Sequence, residues 1–94
     1  MTFEQFNATL SLADPPDQIS PYIKAMWFDA KGDWDKAHQL VQDTEDSTAY
    51  WIHAYLHRKE GDTGNADYWY RRAGRKRPSL TLQQEWEEIV KALI

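Results

Sequence analysis

His53 and His57 stand four residues apart, and Glu60 follows three residues later. In a helix that spacing puts all three side chains on one side, within reach of a common ion. Transition metals accept imidazole nitrogen and carboxylate oxygen, so the trio is a candidate metal site. A zinc hydrolase of the helical two-histidine type needs a glutamate directly after its first histidine as general base. Here that residue is Ala54, and the hydrolase pattern is absent. The stronger expectation for the same residues is a polar cluster on a packing face, with imidazoles bonded to Tyr70, Asn65 or a backbone carbonyl. The pattern assigns no catalytic residue and no cofactor.

A second group of polar side chains follows. Asn65, Tyr68 and Arg72 fall at i, i+3 and i+7 on one helical face, and Arg71 stands four residues after Asp67. An arginine beside tyrosine and asparagine suits carboxylate or phosphate, because guanidinium donates two parallel hydrogen bonds. The competing expectation is internal: Arg71 paired with Asp67, and Arg72 with Glu60 or a carboxylate of the amino-terminal half. Arg75-Lys76-Arg77 beside Trp69 has the composition of a nucleic-acid contact. Three cations at a helix carboxyl end are also ordinary compensation of the helix dipole. An isoelectric point near 5.2 disfavours a polyanion, and no nucleic-acid partner is expected.

The elements that must position these groups are helices. Thr2 with Gln5 forms a capping box ahead of Phe3, Phe6 and Leu10, predicting a first helix that gives way near Ala13. Ser20-Pro21 is a strong start for a second, Tyr22–Lys31, which is apolar nearly all round and is expected at the buried centre. Gly32 ends it, and Asp33 caps a third from Trp34 to about Gln42. The acidic stretch Asp43–Asp46 leads into a fourth at about Ser47–Glu60, ended by Gly61. Asp62 or Thr63 caps a fifth at about Gly64–Gly74. Thr81 with Gln84 opens a sixth, Leu82–Leu93, with an apolar stripe of Leu82, Trp86, Ile89, Val90 and Leu93. No segment alternates with a period of two, so the predicted class is all-α.

Ninety-four residues make one domain. The absence of cysteine excludes disulfides, thiolate metal sites and thiol nucleophiles. No apolar run approaches the roughly 20 residues that span a bilayer, and the start lacks the look of a secretion signal. These features read as a soluble cytoplasmic protein with no membrane contact. The net charge of −4 is unevenly spread. Residues 1–50 carry nine acids against three lysines, and residues 51–94 carry eight bases against six acids. An acidic amino-terminal half therefore faces a basic fourth and fifth helix.

The chain also repeats itself. GDWDKA at Gly32–Ala37 returns as GDTGNA at Gly61–Ala66, each after an aromatic-rich helix. A period of about 30 residues signals stacked helical hairpins. Tyr50, Ala54, Gly61-Asp62, Ala66, Tyr70, Ala73 and Pro78 fall on the pattern of the tetratricopeptide repeat, and the segment resembles that family and its Sel1-like relatives. The first hairpin keeps Ala25, Phe28, Gly32-Asp33 and Ala37 but lacks the closing proline. The Tyr50–Pro78 string is also similar to one shared by small bacterial and fungal proteins with no assigned activity. The resemblance implies two stacked antiparallel hairpins with flanking amino- and carboxyl-terminal helices, five to six in all. It further implies that the first helix of each hairpin lines a concave groove. Trp51, Tyr55, Arg58 and Lys59 would then touch a partner, joined by Tyr22, Met26 and Asp29. Alternatively, the last helix fills the groove.

Three functions follow. The first is an interaction module binding a protein, a peptide or a small anionic ligand through Trp51, Tyr55, Arg58, Tyr68, Arg71 and Arg72. The second is a metal-binding protein or small enzyme using His53, His57 and Glu60. The third is a homodimer with no separate ligand. No serine–histidine–acid arrangement or nucleotide-binding loop occurs, and the interaction module, without enzymatic activity, is the leading expectation.

Overall fold

The two Gly-Asp turns set the architecture. At Gly32 and Gly61 the backbone adopts φ of 86° and 89°, a left-handed conformation that costs a side-chain-bearing residue about 1–2 kcal/mol. The turns close identically. The Gly32 amide donates to the Asp29 carbonyl and the Asp33 amide to Phe28, at 3.0 and 2.9 Å. The Gly61 amide donates to Arg58 and the Asp62 amide to His57, at 3.1 and 3.0 Å. This double bond satisfies carbonyls that a helix end otherwise orphans. Each aspartate then turns its carboxylate onto the amide three residues ahead, Lys36 or Asn65, and starts the next helix.

The computed structural model describes residues 1–94. Its helices are α1 (Phe3–Ala8), α2 (Pro21–Ala30), α3 (Trp34–Val41), α4 (Ser47–Lys59), α5 (Thr63–Arg72) and α6 (Leu82–Leu93), with a 3₁₀ turn at Thr9–Ser11 and no strand. The fold is all-α, as the periodicities predict. No helix is long and apolar enough to cross a membrane. α2 packs on α3 and α4 on α5 as two hairpins, α3 meets α4 between them, and α6 lies across α2 and α4. Small residues at the 29-residue spacing let the helices approach: Ala25 with Ala37, and Ala54 with Ala66, all fully buried. Ser20, Asp46, Thr81 and Thr2 cap their helices as sequence suggests, and both capping boxes close.

Two expectations need correction. The first helix does not run to Ala13. The Thr9 and Ser11 hydroxyls donate to the Phe6 and Ala8 carbonyls at 2.6 and 3.0 Å, the Trp27 indole N–H takes the Thr9 carbonyl, and the α-helix tightens after Ala8. The buried centre is α4 rather than α2. α4 touches α2, α3, α5 and α6, and it is buried at every position from Trp51 to His57.

α6 is fixed by a buried carboxylate. Glu85, 1% exposed, accepts hydrogen bonds from the Tyr70 hydroxyl at 2.7 Å, the Arg58 guanidinium at 2.8 Å and the Trp51 indole at 3.3 Å. Arg58 also donates to the Leu80 carbonyl, and the Trp86 indole donates to the Met26 carbonyl at 3.1 Å. No buried side-chain nitrogen or oxygen is without a partner. Glu85→Ala should therefore cost about 3 kcal/mol by stranding Arg58, Tyr70 and Trp51. In a domain of this size that lowers the melting temperature by on the order of 10 °C. Calorimetric melts would check this, and a loss below about 1 kcal/mol would mean the carboxylate does not anchor the helix.

Candidate functional site

The expected groove is covered. Trp51 is 5% exposed and Tyr55 2%, and Arg58 is engaged by Glu85 and Leu80. Lys59 pairs with Asp29 at 2.9 Å, and the Tyr55 hydroxyl donates to the other oxygen of Asp29 at 2.7 Å. Burial, with Asp29 close by, pushes the Tyr55 hydroxyl pKa strongly upward, so it stays a donor. Met26 and Asp29 are buried, and the Tyr22 hydroxyl donates to Asp46. Trp51, Tyr55 and Arg58 thus belong to the packing of α6 and do not present an open peptide surface. α6 prevails because its Trp86, Ile89 and Val90 stripe has no other apolar face to cover.

The opposite side of α4 is where titratable groups gather. All three histidines of the chain meet there, His38 from α3 and His53 and His57 from α4. Their ligating nitrogens lie within 4.8 Å of one another, and the two Nε2 atoms of His38 and His53 are 3.0 Å apart. Ring centres are separated by 4.6 Å (His38–His53), 4.8 Å (His53–His57) and 5.4 Å (His38–His57). A tetrahedral centre with metal–nitrogen bonds of 2.0–2.1 Å places its imidazole ring centres about 5 Å apart and its donor nitrogens about 3.3 Å apart. The rings are therefore spaced as such a centre requires, and the nitrogens need to close by at most about 1.5 Å.

Neighbouring side chains hold the rings. His38 stacks on Trp34 at 4.9 Å and 10°, and His53 on Trp69 at 4.1 Å and 17°. Trp34 is fixed by its indole N–H, which donates to the Leu56 carbonyl at 2.8 Å. His57 Nδ1 lies 2.6 Å from Glu60 Oε1, so the imidazole donates to the carboxylate there and its other ring nitrogen, Nε2, is outside that bond. His53 and His57 are 6% and 8% exposed. Burial, then the neighbouring imidazoles, push the His53 pKa down to about 4. Burial also lowers that of His38, with His57 adding to the effect and Glu60 and Asp35 opposing it. Near neutral pH these two are uncharged imidazoles, the state that binds metal.

The sequence pattern singles out His53, His57 and Glu60; in the structure His57 bonds Glu60 and stacks on His53, whose Nε2 meets His38 instead. They do not bond to Tyr70 or Asn65. The Asn65 amide nitrogen reaches the Asp62 carboxylate at 3.3 Å, and the Tyr70 hydroxyl is held by Glu85. His38 is the residue sequence reasoning misses. Its signal is its place one turn after the Trp34 of the GDW turn, beside buried Ala37 and Val41, on a helix the repeat sets against α4.

The arginine expectations also change. Asp67 pairs with Arg77 at 3.2 Å rather than with Arg71. Arg72 reaches neither Glu60 nor an amino-terminal carboxylate. It donates to the hydroxyls of Tyr68 and Tyr50, both at 3.2 Å, and lies 4.6 Å from the Tyr50 ring centre and 5.2 Å from that of Trp69. The Tyr68 hydroxyl is the main reason its pKa is raised, so the guanidinium stays charged. Tyr68 and Arg72 are exposed, and together with Tyr50 and Trp69 they form an aromatic–cation surface. No family of known proteins, no curated protein and no solved structure matches this chain.

Proposed function

We propose that the chain is a small metal-binding protein that holds a divalent transition metal between its two hairpins. His38, His53 and His57 are the ligands, and Glu60 orients and polarises His57. The carrying observation is the convergence of three imidazoles from two helices, with two Nε2 atoms 3.0 Å apart and a carboxylate behind the third. Imidazole ligands suit zinc, copper and nickel, and three of them leave a fourth position for water or an exogenous ligand. A metal there would join α3 to α4, that is, the first hairpin to the second. The reading names a ligand and no reaction.

Untagged protein should show a saturable rise in melting temperature with Zn²⁺. At a hundredfold excess over Kd the gain is about 2.7 kcal/mol, worth on the order of 10 °C in a domain of this size. His38→Ala should abolish the rise, and Glu60→Gln should weaken binding about 10–100-fold. An unchanged melt, or full binding in His38→Ala, would remove the site.

The lowered His53 pKa predicts a pH dependence without metal. An unfolded histidine takes a proton near pH 6.5, whereas folded His53 resists until about 4. The unfolded chain thus binds more protons between those values. The stability contributed by His53 is full above about pH 6.5 and is lost progressively as pH falls to about 4, on the order of 3 kcal/mol. Urea titrations of wild type and His53→Gln isolate it, since the carboxylates are common to both. Parallel pH profiles would refute it.

A second reading keeps the interaction module but moves its surface. Exposed Arg72, lying over the Tyr50 and Trp69 rings, and exposed Tyr68, edge-on to Trp69, are side-chain types that anchor interfaces, and the 29-residue repeat supports a tetratricopeptide-like scaffold. Capture from native extract should recover a partner with wild type and lose it with Tyr68→Ala/Arg72→Ala. Equal recovery would count against this surface.

A further inference from the structure

A second concentration of charge takes no part in the histidine cluster. At the carboxyl end of α5 lies a cavity of about 290 Å³ walled by Asp67, Tyr70, Arg71, Arg75, Lys76 and Arg77. Four cations share this wall with one carboxylate. The helix end itself presents only about half a negative charge, so even with Asp67 the cations exceed what dipole compensation requires.

The cations are also under-used within the molecule. Arg77 meets Asp67 through Nε at 3.2 Å, which leaves its terminal nitrogens out of that pair. Arg75 comes no nearer than 3.9 Å to Glu88, and its guanidinium lies 3.4 Å from the centre of the Trp51 ring. Arg71 and Lys76 are exposed and enter no ion pair. The backbone beneath them is fixed. The Gly74 amide donates to the Arg71 carbonyl at 3.0 Å and the Arg75 amide to Tyr70 at 2.8 Å, which closes α5. The Tyr70 hydroxyl is taken by Glu85, so the recognition chemistry of this cavity is almost wholly cationic.

We propose that this cavity binds a diphosphate group. Arginine forks match phosphate oxygens bidentately. A diphosphate carries about three negative charges near neutrality, and a wall of four cations and one carboxylate favours a ligand of that sign. A long nucleic acid fits less well, because the acidic amino-terminal half repels an extended polyanion. The site shares no residue with His38, His53, His57 or Glu60 and stands or falls independently of the metal reading.

Calorimetric titration of the full chain with pyrophosphate, at about 50 mM and 200 mM salt, tests the proposal. One-to-one binding that weakens with salt is expected. Arg71→Gln/Lys76→Gln should lose roughly tenfold or more in affinity at unchanged melting temperature. The control Lys24→Gln/Lys36→Gln removes the same charge on the first hairpin and should stay within about twofold. Vesicles bearing a lipid with a diphosphate head group separate the two sources of this chemistry. Vesicle binding displaced by pyrophosphate supports a lipid head group, and pyrophosphate binding without vesicle binding supports a free diphosphate. The proposal is overturned by no saturable heat at millimolar pyrophosphate in low salt, or by equal losses in the two double variants. Tighter binding of a single-stranded RNA oligonucleotide that survives Arg71→Gln/Lys76→Gln overturns it as well.

Discussion

A carboxylate taken out of water costs several kcal/mol unless donors replace its hydration. Glu85 finds its donors on two other helices: Trp51 and Arg58 on α4, and Tyr70 on α5. α6 can satisfy that carboxylate in one position only, with its Trp86–Ile89–Val90 face down on α2 and α4. Asp29 imposes the same condition one layer away, where Tyr55 and Lys59 supply the hydrogen bonds. Buried tyrosines serve well here because burial and a neighbouring carboxylate raise their pKa, so each hydroxyl keeps its proton and remains a donor. The polar network therefore specifies where the last helix lies, while the apolar stripe supplies the drive to put it there.

Closing one side of α4 leaves the chemistry to the other. Along α4 the residues Trp51, Tyr55 and Arg58 turn to α6 and α2, whereas His53 and His57 turn to α3 and α5. A seam between stacked hairpins is normally the place for leucine or valine, which bury without needing partners. Three imidazoles there are costly as packing groups, and each has to be matched by an aromatic face or a hydrogen bond: Trp34 for His38, Trp69 for His53, Glu60 for His57. Such an arrangement fixes ring orientation more tightly than packing alone demands.

Features that depend on a few adjacent residues were legible in the sequence. Both Gly-Asp turns, the Ser20-Pro21 start and the two capping boxes are local hydrogen-bond patterns, and they place six helices to within a few residues. The alanines at a 29-residue spacing revealed the hairpins for the same reason. Long-range competition was not legible. Nothing near Thr9 announces that Trp27 will take its carbonyl, and nothing near Trp51 announces that Glu85 will seek its indole. Arg72 shows how opposite charge can mislead: Glu60 is the expected partner, but the tyrosines at positions 50 and 68 offer both ring faces and hydroxyls. His38 escaped because its significance lies wholly in a contact between two helices, and helical spacing within α4 carries no information about α3.

Proton placement ties the cluster's structure to its chemistry. His57 Nδ1 is held against Glu60 Oε1 as a donor. The 3.0 Å separation of His38 Nε2 and His53 Nε2 allows only one hydrogen between them, with the other nitrogen accepting it. One nitrogen of that pair therefore carries a lone pair, and the other gives up its role as donor if its proton shifts to Nδ1 of the same ring. Burial that disfavours a protonated His53 removes the ordinary competitor for these lone pairs near neutral pH. In the proposed site a divalent cation would bring charge into the same region, offset by three coordinate bonds and by the Glu60 carboxylate one imidazole away.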